Sequence, residues 1–168
     1  YAFYYINRDE IDKIFEYRKQ LVKDIFDKAE RYAEDQNFAA ALKYYYFSSV
    51  LLNSIPVSRV EHRGMPLEIE IGSRLSDIIS NTRFEVINDE MVSDKRREIT
   101  VSIKVNGEPA KSLDFNFWDG SNQIFAKSID GTALITLFGS STKFNELQLR
   151  VKYKYFESKD EIKEVGEL

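Results

Sequence analysis

The sequence predicts an α+β fold, in which an N-terminal antiparallel helical hairpin and a short third helix pack on a C-terminal antiparallel β-sandwich. Apolar residues recur at helical spacing as far as about residue 82 and at every second position beyond it. Asx-Gly dipeptides, which favour tight hairpin turns, separate the alternating segments. We therefore expect a helical unit over residues 1–82, a sandwich over residues 83–156 and an acidic tail over residues 157–168.

The first helix is predicted over about residues 8–34. Asn7 and Glu10 have the spacing of a capping box, in which two side chains bond the first free backbone amides. Apolar residues then follow at helical spacing, and acid–base pairs such as Asp24 and Lys28 lie four residues apart on the opposite face. This pattern indicates one long amphipathic helix.

The second helix is predicted over about residues 38–53 and is apolar almost all round, with a single lysine. A helix of this kind must be covered on more than one side. We expect Tyr45 and Phe47 to belong to the core. Tyr44 or Tyr46 is expected to face the sandwich or a binding partner.

A linker is predicted over residues 57–66, and Pro66 then begins a third helix over about residues 67–81. His62, the only histidine of the chain, lies in this linker between two charged residues. We expect its side chain to be solvated rather than catalytic.

Six short strands with period-two alternation are predicted in the second half, as is typical of an antiparallel sandwich. The basic triplet Lys95-Arg96-Arg97 is surrounded by acidic residues and is expected to form a solvated hairpin turn. The predicted strands cover residues 83–88, 98–105, 112–118, 123–128, 132–138 and 146–156.

Composition excludes several classes of protein. The chain has 168 residues, no Cys and one His, which excludes thiol enzymes, cysteine zinc sites and two-histidine metal sites. The net charge of −4 comes mostly from residues 157–168, which hold five acidic and two basic residues. The remainder has no basic stripe, so no nucleic-acid partner is predicted. No apolar run reaches 18 residues, so no membrane span is predicted.

The helical hairpin resembles a tetratricopeptide unit. The small and aromatic positions of that repeat fall on Ala29, Tyr32, Phe38, Ala41 and Tyr45. The resemblance implies, as one alternative, a peptide-binding groove on an open concave side of the hairpin.

A second resemblance covers most of the chain. The strings 6–16, 41–46, 51–56 and 107–120 resemble the middle and C-terminal regions of uncharacterised, lipoprotein-type envelope proteins of Bacteroides-type bacteria. In those proteins an N-terminal α/β domain precedes a helical hairpin and an immunoglobulin-like sandwich. The resemblance implies a cell-envelope location, an immunoglobulin-like sandwich here, and that residues 1–6 are the last strand of a preceding domain. It implies no activity.

Aromatic side chains are the predicted binding residues. Trp118 ends a predicted strand and is out of phase with Phe115 and Phe117. It is therefore either exposed, where it could stack on a sugar or anchor a partner, or it covers the junction between the two halves. The candidate contact residues are Tyr44, Tyr46, Trp118, Asp119 and Asn122.

These observations favour a non-enzymatic structural or interaction module of a bacterial cell-envelope protein, with a protein partner and no cofactor or metal. The alternative is a carbohydrate-binding module that uses the aromatic residues of the sandwich. A hydrolytic enzyme is least favoured, because the acidic pairs Glu68/Glu70 and Asp89/Glu90 lie in polar stretches rather than in an apolar pocket.

Overall fold

Three α-helices, with a two-stranded hairpin between the second and the third, precede the two larger antiparallel β-sheets, as the α+β prediction requires. The computed structural model describes residues 7–55 and 59–155. The predicted strand over residues 1–6 and the predicted acidic tail over residues 157–168 lie outside the described residues. None of the helices in the described ranges is both long enough and apolar enough to cross a membrane.

The helices begin and end within one residue of their predicted positions. They are α1 (Arg8–Glu34), α2 (Phe38–Leu52) and α3 (Leu67–Ser80). The Asn7 side chain caps α1 by accepting the Asp9 amide at 3.2 Å, and Asn37 accepts the Ala40 amide at 3.3 Å at the start of α2. Each cap satisfies a backbone amide that has no partner within its helix.

Helix α2 is buried on more than one side, as its apolar sequence predicts. Tyr45 packs its ring 5.6 Å from Phe26 of α1, and Ser48 donates a hydrogen bond to the Val22 carbonyl. Its other sides pack on α3 and on the sandwich. Tyr45 and Phe47 are core residues as predicted. The burial of both faces of α2 contradicts the expected peptide groove along this helix, although an apolar cavity of about 680 Å³ lies between the first half of α1 and the end of α2.

The predicted linker contains a short hairpin of β1 (Glu61–His62) and β2 (Met65–Pro66). His62 is only 9% exposed, so the expectation of a solvated side chain was wrong. Its Nδ1 lies 3.0 Å from a Glu70 carboxylate oxygen and its Nε2 lies 3.2 Å from an Asp27 oxygen. The hairpin turns His62 inward, against the Phe26 ring. Local charge in the sequence does not reveal this long-range placement.

The first sheet, sheet I, has β4 at its centre and is antiparallel throughout. On one side β4 pairs with β3. On the other side its first seven residues pair with β8 and its last two pair with β5. β3 is much longer than predicted because its pairing with β4 continues through two register shifts. The strands are β3 (Thr82–Ser93), β4 (Arg96–Val105), β5 (Glu108–Pro109) and β8 (Thr132–Phe138).

The second sheet, sheet II, has three strands in the order β7–β6–β9, also antiparallel. They are β6 (Asp114–Trp118), β7 (Gln123–Lys127) and β9 (Leu149–Val151). β9 is shorter than the predicted strand over residues 146–156. The division of strands between the two sheets is compatible with an immunoglobulin-like sandwich, in which the first, second and fifth long strands share one sheet.

The two sheets and the helices contribute to one hydrophobic core. Phe84 of sheet I lies 5.4 Å from Phe115 of sheet II, measured between ring centroids. The helical half is joined to the sandwich by backbone and side-chain bonds at the start of α2. The Ala39 amide donates to the Ser112 carbonyl at 2.8 Å, and the Tyr155 hydroxyl donates to the Ala39 carbonyl at 3.1 Å.

Candidate functional site

The outer surface of sheet II carries the exposed aromatic residues of the sandwich. Burial alternates along β6 and β7, so Phe115 and Phe117 point into the core while their neighbours point outward. We call the outward-pointing set the aromatic face. It consists of Asp114, Asn116 and Trp118 of β6, Gln123, Phe125 and Lys127 of β7, and Arg150 of β9.

Trp118 is 58% exposed, and Phe125 on the neighbouring strand is 59% exposed. Trp118 pairs with Gln123, whereas Phe125 pairs with Asn116, so the two aromatic side chains are diagonal neighbours on one face. Two placements of Trp118 were predicted as alternatives, and the structure shows the exposed one. The side chain does not cover the junction with the helices.

The β6–β7 turn fixes the end of the strand that carries Trp118. The Asp119 carboxylate accepts hydrogen bonds from the backbone amides of Ser121 (2.8 Å) and Asn122 (2.7 Å). The bond from the Asn122 amide, followed by that from Ser121, holds the pKa of Asp119 below its usual range. The Asp119 carboxylate therefore stabilises the turn. Within the described ranges, no three His, Asp or Glu side chains are grouped to hold a metal ion.

Phe144 packs directly on this turn. Gly120 has φ +98°, and a β-carbon at that position would lie 2.5 Å from the Phe144 ring. The Phe144 carbonyl in turn accepts a 2.7 Å hydrogen bond from Arg97 of β4. Arg97 of sheet I thus supports the β6–β7 turn of sheet II through Phe144.

Basic residues lie on β7 and on and after β9, at and beside the aromatic face. Arg150 pairs with Asn116, opposite Phe125, and its guanidinium contacts the Gln148 amide oxygen at 3.3 Å. Lys127 pairs with Asp114 in the strand register. Lys152 follows β9 and places its Nζ 5.6 Å from the centroid of the Phe125 ring. The face is therefore aromatic at one end and basic at the other.

A shallow cavity of about 410 Å³ lies beside Trp118. Three of its lining residues, Asn116, Gln123 and Gln148, carry primary amides, and Arg150 completes the polar side. Amide groups provide both donors and acceptors, so the cavity can bond hydroxyl groups while the indole supplies a flat apolar surface.

The remaining candidates lie beyond the basic end of this face. Tyr44 is buried in a stack with Tyr32, whose ring lies 5.4 Å away, and Lys28 lies 4.3 Å from the Tyr44 ring centroid. Tyr46 packs 6.5 Å from Tyr155 at the end of the sandwich. Tyr46 thus faces the sandwich, which was one of the two predicted roles, whereas Tyr44 packs on α1.

The predicted candidates do not form a single cluster. Trp118, Asp119 and the exposed Asn122 share one turn, while Tyr44 and Tyr46 lie on α2. Sequence reasoning missed Phe125, Lys127 and Arg150. The alternation of residues 123–127 places Phe125 in the outward phase with Gln123 and Lys127, and this signal could have identified it.

Comparison with known proteins finds no matching family model, no similar curated protein and no similar solved structure.

Proposed function

We propose that this chain is a non-enzymatic interaction module of a bacterial cell-envelope protein and that the aromatic face is its binding surface. The observation that carries the proposal is the exposure of Trp118 and Phe125 as diagonal neighbours on one sheet face. Large aromatic side chains contribute strongly to binding when a partner removes them from water.

The surroundings of the two aromatic residues also favour a binding role. Isolated exposed apolar residues are common on protein surfaces, but adjacent exposed aromatic residues surrounded by polar groups are typical of interaction sites. Asn116 and Arg150 provide such polar groups next to Phe125. The turn bonds of Asp119 and the contact of Phe144 with Gly120 hold the Trp118 end in place before binding.

The envelope location is supported by the resemblance of four sequence strings to lipoprotein-type envelope proteins. That resemblance also supports an immunoglobulin-like arrangement of the sandwich, and the separate resemblance of the hairpin supports a tetratricopeptide-like arrangement of α1 and α2. A protein partner in the envelope is the first candidate for the surface, since aromatic residues and arginine are enriched at protein interfaces.

Carbohydrate binding is the second candidate function. The observation that favours it is the cavity lined by Asn116, Gln123 and Gln148 next to the exposed indole. Sugars present apolar ring faces and many hydroxyl groups, so an aromatic plane beside amide side chains suits them.

The test compares variants of the two outer sheet faces. Trp118→Ala and Phe125→Ala alter the aromatic face, whereas Phe138→Ala alters a 64% exposed phenylalanine on sheet I. Each variant is used to capture material from envelope extracts, with circular dichroism as the check on folding. We expect the two aromatic-face variants to lose the retained partner or glycan and Phe138→Ala to keep it. Equal retention by all three variants would contradict the proposal.

A further inference from the structure

We infer that the aromatic face binds an acidic glycan, whose sugar rings stack on Trp118 and Phe125 while its carboxylates bond Arg150 and Lys127. This inference rests on the proposed function, since it names the ligand class of the same surface.

The strand register places aromatic and basic groups in neighbouring rows. Trp118 pairs with Gln123 in one row, Phe125 and Arg150 flank Asn116 in the next, and Lys127 pairs with Asp114 in the third. Same-face residues on one strand repeat about every 7 Å, so a chain of sugar rings lying along β7 meets both groups in turn.

The charge of this face is opposite to that of the whole chain. Arg150 and Lys127 are its basic residues and Asp114 is its carboxylate, and Lys152 lies beside it against the Phe125 ring, whereas the chain carries a net charge of −4. The Tyr155 hydroxyl lies 3.4 Å from an Asp114 oxygen. Within residues 7–55 and 59–155, neither Arg150 nor Lys127 forms an ion pair. Their charges are available to an anionic ligand.

Other ligands satisfy this surface less well. A neutral glycan would bond the amides but leave Arg150 and Lys127 without a counter-charge. An apolar protein surface would remove both cations from water without a counter-charge, which costs free energy. Single-stranded nucleic acid also stacks on aromatic rings and is anionic, but the amides beside Trp118 suit the many hydroxyl groups of a sugar, so we favour the glycan and use a nucleic acid as the phosphate control.

The test is a titration of the whole 168-residue chain, followed by the fluorescence of its single tryptophan, Trp118. The probes are hexasaccharides of polygalacturonate, alginate and hyaluronan, with maltohexaose as the neutral control and a thymidine hexanucleotide as the phosphate control. Isothermal titration calorimetry provides a second measurement that does not depend on the indole. We expect at least one acidic hexasaccharide to bind about tenfold or more tightly than maltohexaose, with an affinity that falls as salt is added.

Charge-removing variants then identify the residues that bond the carboxylates. Arg150→Gln and Lys127→Gln should each weaken acidic-glycan binding about tenfold, as expected for one lost charge-assisted hydrogen bond. Each should weaken maltohexaose binding less than acidic-glycan binding, because glutamine keeps hydrogen-bonding groups and removes only the charge. Lys95→Gln makes the same charge change at an exposed position in the β3–β4 turn and should have no effect. Trp118→Ala should weaken binding of the acidic glycan more than tenfold.

The outcomes separate this inference from the proposed function. Equal binding of maltohexaose and the acidic hexasaccharides would overturn the charge assignment but keep the aromatic face as a binding surface. Tighter binding of the thymidine hexanucleotide would overturn the glycan assignment. If no acidic hexasaccharide binds below about 1 mM, the inference is wrong, and envelope capture that depends on Trp118 would still support the aromatic face as a binding surface.

Discussion

Arg97 of β4 holds Asp89 of β3 through two parallel bonds, Nε to Oδ1 at 2.7 Å and Nη2 to Oδ2 at 2.5 Å. Its remaining nitrogen donates to the carbonyls of Thr142 (3.1 Å) and Phe144 (2.7 Å). One guanidinium therefore joins two strands of sheet I to the segment that packs on the β6–β7 turn. The planar donor fork of arginine suits this arrangement, which a single ammonium group cannot reproduce.

Replacing Arg97 should destabilise the protein and loosen the support of the Trp118 turn. We expect Arg97→Gln to lower the free energy of unfolding by about 2 kcal/mol, because the ion pair and two carbonyl bonds are lost together. Arg97→Lys should cost about 1 kcal/mol, since it keeps the charge without the fork. Urea unfolding measures both values.

The neighbouring Arg96 provides the control for this prediction. Arg96 pairs with Glu98 at the surface, and Arg96→Gln should cost less than about 1 kcal/mol. Faster hydrogen exchange around Phe144 in Arg97→Gln, but not in Arg96→Gln, would show that the loop depends on Arg97. A similar loss of stability in the two glutamine variants would contradict this role.

The pair of Arg97 and Asp89 also lets us predict how the free energy of unfolding depends on pH. The hydrogen bonds from Arg97 hold the pKa of Asp89 below its ordinary value of 3.8. A carboxylate with a lowered pKa contributes stability above its unfolded pKa and loses that contribution as the pH falls through its folded pKa. Wild type should therefore exceed Asp89→Asn in stability at pH 7, and the difference should shrink below about pH 4. Asp119 also has a lowered pKa and affects both proteins alike, so the test compares wild type with Asp89→Asn at each pH. A difference in free energy of unfolding that stays constant with pH would contradict the role of Asp89.

The helices were predictable because their signals are local. Asn7 and Asn37 cap the first two helices, and the apolar periodicity between caps gives their lengths. The Asx-Gly turns were predictable for the same reason: Asn106-Gly107 and Asp130-Gly131 both adopt positive φ angles, which these residue types tolerate.

The misplaced residues depend on contacts that are distant in the chain. Arg97 was expected in a solvated turn, but strand β4 begins at Arg96, and the pairing with β3 brings its side chain to Asp89. The exposure of Phe125 follows from its register with Asn116, and Arg150 shares that row only because β9 pairs with β6. Neither register follows from the composition of a single strand.

His62 has a structural role that can be tested by mutation. Its two ring nitrogens face Glu70 and Asp27, and the side chains of both His62 and Glu70 are nearly buried. His62→Ala should lower the free energy of unfolding by about 3 kcal/mol, because it leaves the Glu70 carboxylate buried without its partner. Chemical denaturation provides the measurement.

A double-mutant cycle distinguishes two causes of the destabilisation by His62→Ala: the loss of the bond to Glu70 and the loss of packing on Phe26. Glu70→Gln removes the buried charge, so adding it to His62→Ala should restore at least about 1 kcal/mol. If the double variant is as unstable as the sum of the single variants, the cost of His62→Ala comes from packing alone, and the hydrogen bond between His62 and Glu70 has no stabilising role.

We expect the Tyr155 hydroxyl to stabilise the junction between the sandwich and the helical hairpin. Its buried hydroxyl donates to the Ala39 carbonyl at the start of α2, so Tyr155→Phe should cost about 1 kcal/mol while the ring contacts remain. Tyr153→Phe is the matched control, because Tyr153 is exposed and no hydrogen bond of its hydroxyl occurs among the described residues. Hydrogen exchange of the first turn of α2 should rise in Tyr155→Phe only. Equal stability of the two variants would mean that the junction is held instead by the bond from the Ala39 amide to the Ser112 carbonyl and by apolar packing around Phe47.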